Sequence, residues 1–135
     1  MPSSLKFLAI YLAAGFLAAA ASLVVINRED QAAANATARA LTGGDPHKGK
    51  LAAGRYGCGA CHQLGLVKGV EGKVGPPLTG IAKRAELAGR LQNDPQSLIR
   101  WIRFPQEVVP GNGMPDQGIG EADARDIAAY LYSLR

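Results

Sequence analysis

Cys58-Gly59-Ala60-Cys61-His62 holds both cysteines of the chain and one of its two histidines. Two thiols with two residues between them can form thioether bonds to the two vinyl groups of one haem, and the histidine that follows is placed to ligate its iron. A structural zinc site needs four ligands, and only His47 could join Cys58, Cys61 and His62, at a spacing that matches no zinc motif. A thioredoxin-like dithiol would sit at a strand-to-helix turn of a βαβ unit, and no β-branched run flanks this one. The motif points to one covalently held haem c, attached through Cys58 and Cys61 with His62 as a ligand.

Outward from the motif, Asp45 to Arg135 has the size of one small domain. A domain of roughly 90 residues buries only about 60–65% of its unfolded surface, so an apolar macrocycle at its centre would supply much of the core. Asp45-Pro46 pairs an N-cap with a proline at the first helical position, and predicts a helix from Pro46 to about Tyr56 whose Gly49, Ala52 and Ala53 permit a close helix crossing. Gly65 to Pro77 is too rich in glycine for regular structure, and a short helix is expected near Leu78 to Ala88. Asp94-Pro95 repeats the cap and proline, and predicts a helix that Pro105 stops. Val108 to Ile119 reads as loop. The last helix begins at Glu121, with Ile127, Tyr130, Leu131 and Leu134 at helical spacing. No repeat is visible and no strand is expected, so the fold class is all-α, about four short helices around one haem.

The second axial position of the iron is open to Met114, His47, a lysine or only water. Met1 lies beyond a long apolar segment, so Met114 is the methionine within the domain. It stands in Val109-Pro110-Gly111-Asn112-Gly113-Met114-Pro115, where prolines restrict φ and glycines let the backbone approach a flat ligand. Such a stiff loop without apolar periodicity carries a thioether ligand better than it carries a core filler. His47, about 16 Å along the predicted helix from Cys58, reads as an exposed helix-start residue.

The N-terminus differs in kind. Phe7 to Ile26, FLAIYLAAGFLAAAASLVVI, is uncharged, with Lys6 before it and Arg28-Glu29-Asp30 after it. As a helix it would span about 30 Å, the hydrocarbon thickness of a bilayer. Residues 1–27 therefore read as a transmembrane anchor, or as a signal segment cleaved after Ala18-Ala19-Ala20 or further on. Residues 28–44, rich in Ala, Asn, Thr and Gly, read as a flexible linker with transient helix, able to reach about 50–60 Å if extended. Residues 45–135 form the haem domain.

Cys58-Gly59-Ala60-Cys61-His62, Gly75-Pro76-Pro77-Leu78, Trp101-Ile102-Arg103-Phe104-Pro105, Pro110-Gly111-Asn112-Gly113-Met114-Pro115 and Ile127-Ala128-Ala129-Tyr130-Leu131 follow the order of landmarks in class I, mitochondrial-type monohaem cytochromes c. The segments from Gly75 to Leu78 and from Arg103 to Pro115 also resemble the cytochrome c domains fused to subunit II of some bacterial haem–copper oxidases. The resemblance implies that His62 is the proximal ligand and that the Pro76 carbonyl accepts the proton of its other ring nitrogen. It places Arg84 near a haem propionate and Trp101 near the axial methionine, and it matches Gly49 and Tyr130 to the crossing of the first and last helices. Ala53 departs from the family, which often has a large aromatic there. Haem attachment in this family takes place in the bacterial periplasm or an equivalent compartment, which implies an inner-membrane protein with a periplasmic haem domain, or a soluble periplasmic one after cleavage.

The overall charge of +4 is unevenly placed: Pro46 to Arg103 carries ten Lys or Arg against three acids, and Glu107 to Asp126 one Arg against five. Arg55, Lys68 and Lys73 are candidates for steering an acidic partner. No aromatic and basic stacking pattern points to nucleic acid. With both axial positions filled no iron site is left for a small-molecule substrate, so an electron carrier is expected rather than an enzyme, between a quinol-oxidising complex or dehydrogenase and a terminal oxidase. The alternatives are a fixed relay subunit of such a complex, and a sensor or peroxidase with an open iron.

Overall fold

The computed structural model describes residues 3–65 and 72–134. Its order is α1 (Ser3–Thr42), α2 (Pro46–Arg55), 3-10 turns at Cys58–Ala60 and Ile81–Lys83, β1 (Glu86–Leu87), β2 (Leu91–Gln92), α3 (Pro95–Arg103), α4 (Pro105–Val108) and α5 (Glu121–Ser133). Five α-helices and almost no sheet make the described chain all-α.

Both Asp-Pro starts do what the residues dictate. The Asp45 carboxylate accepts the His47 and Lys48 N–H groups, and the Asp94 carboxylate accepts the Ser97 N–H, satisfying donors that a helix N-terminus leaves unpaired. Their pKa values fall accordingly, Asp45 chiefly through the Lys48 N–H and Asp94 chiefly through the Ser97 side chain. Helix α3 then turns Leu98, Ile99 and Ile102 inward. They join Leu64, Ile81, Ile127 and Leu131 in one buried cluster. Each such side chain stabilises the fold by about 1.5–3 kcal/mol.

Helices α2 and α5 cross at Gly49. A Cβ there would lie 1.8 Å from Asp126 O and 2.8 Å from Tyr130 Cβ, so only glycine permits this approach. Ala52 and Ala53 are fully buried beside it. The Tyr130 hydroxyl donates to Leu64 O at 3.0 Å, which ties α5 to the segment after the cysteine motif.

Two expectations are corrected. The helix near Leu78 to Ala88 is only the 3-10 turn Ile81–Lys83, followed by a two-residue antiparallel ladder pairing Glu86 with Gln92 and Leu87 with Leu91. The turn between the strands has positive φ at both Ala88 (52°) and Gly89 (64°), the geometry of a tight hairpin, which glycine signals in a sequence and alanine does not. Pro105 lies just past the end of α3, as expected, and its fixed φ also opens the short helix α4. The flexible linker expected over 28–44 is helical as far as Thr42. Alanine-rich sequence favours that conformation, and Ala38 and Thr42 are buried, so packing completes what propensity began. Helical rise is less than half that of extended chain, so the extended reach does not apply.

Contacts divide the chain into residues 1–33 and 34–135. In the first unit every described residue is exposed, and the helix is long and apolar enough to cross a membrane, as an anchor or a signal sequence would be. In the second, Thr42 Oγ1 donates to Ala38 O and accepts the Gly44 N–H, fixing the turn at the end of α1.

Candidate functional site

Helix α2 ends at Arg55 with Tyr56 as its C-cap, and Gly57, at φ 67°, turns the chain in a left-handed conformation that a side chain would strain. The turn that follows is 3-10, with the Cys61 N–H donating to Cys58 O at 3.3 Å. Residues three apart eclipse in that geometry, so Cys58 and Cys61 project to the same side. Both are partly buried.

His62 follows within the same turn, its N–H donating to Cys58 O at 3.0 Å. Its Nδ1 lies 2.8 Å from Pro76 O. A carbonyl oxygen only accepts, so the proton sits on Nδ1 and Nε2 carries the free lone pair. The loop that supplies Pro76 is pinned to the motif by the Gly75 N–H, which donates to Cys61 O at 2.8 Å. A Cβ on Gly75 would lie 2.3 Å from His62 Cε1, so glycine at this position lets the backbone lie against the imidazole.

Cys58, Cys61, His62, Pro76, Arg84, Trp101 and Met114 all line one cavity of about 400 Å³. The structure thus brings these seven residues to one cavity wall. Its wall is otherwise mainly apolar, with Leu64, Leu98, Ile102, Ile127 and Leu131 contributing. Ala53 also faces it, and the missing large side chain there leaves room. The Arg84 guanidinium donates to Pro77 O, and its backbone is braced by Asn93, whose Nδ2 donates to Arg84 O at 2.8 Å and Ile81 O at 2.6 Å. Trp101 is half-buried on the wall.

Sequence reading missed the groups that hold Met114. Asn112 Oδ1 accepts the Met114 N–H at 2.7 Å, and Gln106 Nε2 donates to Met114 O at 2.7 Å. An amide side chain beside a proline and glycine loop is the available signal, since such loops need side chains to satisfy their backbone. Gly75, Asn93 and Pro77 were likewise not singled out as site residues.

Among the described residues no group of three or more His, Cys, Asp or Glu could hold a bare metal ion. The donor set is instead two thiols, one imidazole and one thioether around an apolar space, suited to a flat apolar group with a soft-ligand metal. His47 is exposed and absent from the cavity wall. Of the steering candidates, Arg55 lies 3.3 Å from Asp123, Lys73 is exposed, and Lys68 lies outside the described residues.

The Cytochrome c family model matches residues 46–135. The chain is 38% identical over 79 residues to a cytochrome c oxidase subunit 2 of Alkalihalophilus pseudofirmus, a match that covers 58% of this chain and 22% of that protein. It is 34% identical over 90 residues to cytochrome c2 iso-2 of Magnetospirillum fulvum, covering 57% of this chain and 91% of the relative. It is 33% identical over 105 residues to cytochrome c2 of Rhodopila globiformis, covering 68% and 95%. No solved structure matches.

Proposed function

Because this chain belongs to the cytochrome c family, whose members carry covalent haem c and transfer electrons, we propose that it is a membrane-anchored monohaem carrier with His62 and Met114 as axial ligands. The observation that carries this reading is the convergence of Cys58, Cys61, His62 and Met114 on one apolar cavity. The residues present fit the group: Cys58 and Cys61 emerge on one side of a 3-10 turn, Gly75 leaves the imidazole its place, and His62 Nε2 is left as the ligating nitrogen. Haem iron held by imidazole and thioether supplies one-electron redox chemistry at a raised potential. Pro76 fixes the His62 tautomer and ring orientation and raises its basicity as a ligand. Arg84 and Trp101 both line the cavity, which supports reading Arg84 as the cation for a propionate and Trp101 as an aromatic neighbour of the methionine.

The apolar helix of residues 3–33 serves as the anchor, with the haem domain in the periplasm, and cleavage there would release a soluble carrier. A tether raises the effective concentration of the carrier at neighbouring complexes. The partners of this reading are redox complexes at the membrane, a quinol-oxidising complex or dehydrogenase as donor and a terminal oxidase as acceptor. The likeness to a cytochrome c oxidase subunit 2 supports a second reading, a relay subunit fixed within such a complex.

The deciding measurement is the absorption spectrum of the oxidised full chain. The weak iron–methionine charge-transfer band at the red end is expected in the wild type and lost in Met114→Ala; a band intact in the variant removes Met114 from the iron. Purification in mild detergent separates the two partner readings, since stoichiometric co-elution with an oxidase or dehydrogenase supports the fixed subunit and a lone cytochrome the carrier.

A further inference from the structure

Met114 is carried by a stretch, Val109 to Ile119, without helix or strand of its own. What holds it is side-chain chemistry. Gln106, on α4, donates from Nε2 to both Asn112 O, at 2.9 Å, and Met114 O, at 2.7 Å, while its Oε1 accepts the Gly111 N–H at 3.0 Å. Both its donor hydrogens and its acceptor are therefore used, and one side chain ties three points of the loop. The Gln106 N–H in turn donates to Asp116 Oδ1 at 3.2 Å, beyond the methionine. Asn112 completes the frame: its Oδ1 accepts the Met114 N–H at 2.7 Å, and its Nδ2 donates to Pro105 O at 2.8 Å and Val109 O at 2.6 Å. Both backbone polar groups of Met114 thus end on amide side chains.

A thioether is a neutral, weakly donating ligand. Its hold against a competing base depends on how much conformational freedom the loop must surrender to present it, and a loop already fixed surrenders little. We propose that Gln106 is the positioning residue of the axial methionine, preorganising residues 111–114 so that the Met114 thioether keeps its place against other ligands. This rests on the reading of Met114 as the axial ligand. Gln106 does not itself line the cavity; it acts through the backbone of Asn112 and Met114, which do.

The test is titration of the oxidised, haem-loaded full chain with imidazole, followed by loss of the iron–methionine charge-transfer band. Gln106→Ala removes three loop hydrogen bonds and is expected to bind imidazole about ten-fold more tightly than the wild type. Gln106→Glu keeps the size and the acceptor for the Gly111 N–H but turns a carboxylate oxygen toward two carbonyls, and is expected to show at least as large an effect. Tyr56→Phe removes a hydrogen bond to Asp123 away from the cavity, and is expected to lower the unfolding midpoint with imidazole affinity unchanged. Wild-type imidazole affinity in both Gln106 variants, with the band still lost in Met114→Ala, overturns the proposal and leaves the methionine assignment standing. A band that survives Met114→Ala overturns both.

Discussion

The fold pushes the ionisation of the Tyr132 phenol from 10.0 up to about 12. Burial is the larger cause, and the Asp94 carboxylate adds to it. Its hydroxyl donates to Asn93 Oδ1 at 2.9 Å, and Asn93 braces the Arg84 backbone, so this phenol supports the cavity wall at one remove. A pKa raised on folding contributes stability that is fully present below the unfolded value and is lost as pH rises through the folded one. The window is therefore from about pH 10 to about pH 12. Unfolding midpoints followed by far-ultraviolet circular dichroism are expected to fall more steeply across it in the wild type than in Tyr132→Phe; parallel slopes would show that the phenol ionises with the same pKa in the folded and the unfolded chain. Residues like Tyr132 were not legible in the sequence, and the contrast with Met114 says why. Cys58, Cys61, His62 and Met114 announce themselves because few side chains can do their chemistry and the chain has hardly any others of each kind. Gln106, Asn112 and Asn93 act on backbone carbonyls, which every residue has, so only the folded path identifies their partners.

At the scale of elements, α2 carries two glycines with opposite roles. Gly49 sits where α2 crosses α5, and a Cβ would meet the Asp126 carbonyl, while a Cβ on Gly54 meets nothing within 4 Å. Gly49→Ala is expected to destabilise the domain by about 1–3 kcal/mol, the usual range for overpacking. Gly54→Ala, in the same helix and exposed, is expected to stabilise it by about 0.5–1 kcal/mol through helix propensity alone. Urea denaturation of the two haem-loaded variants reads both signs, and destabilisation of equal size in each would mean that the crossing is not set by Gly49. The elements legible in advance were those with local causes. Asp45-Pro46 and Asp94-Pro95 cap their helices by bonds within a few residues. The Glu86–Gln92 ladder and the helix over residues 28–42 escaped because their causes are not local: Ala88 adopts a positive φ that its type rarely takes, and burial of Ala38 and Thr42 stabilises a segment that composition alone leaves marginal.

At the scale of the whole molecule, that last correction moves the edge of the folded domain. The family match begins at residue 46, yet residues 34–42 belong to the same compact unit. Ala38 is 1% and Thr42 2% exposed, and Ala34, Thr37, Ala38 and Leu41 share a surface cavity of about 390 Å³ with Asn93, Pro95 and Tyr132. The Arg39–Asp45 ion pair at 2.7 Å is half exposed and adds little. The burial and the Thr42 bonds to Ala38 and Gly44 together are worth about 1–2 kcal/mol. A haem-loaded fragment beginning at Ala34 is accordingly expected to melt roughly 5–10 °C above one beginning at Asp45, at the sensitivity of a domain of this size. The shorter fragment retains the Asp45 cap of α2, so a difference reports the end of α1 and not the loss of a neighbouring helix start. Equal melting temperatures would reduce residues 34–42 to a tether; a difference of the expected size makes them a structural part of the haem domain that the family match alone does not include.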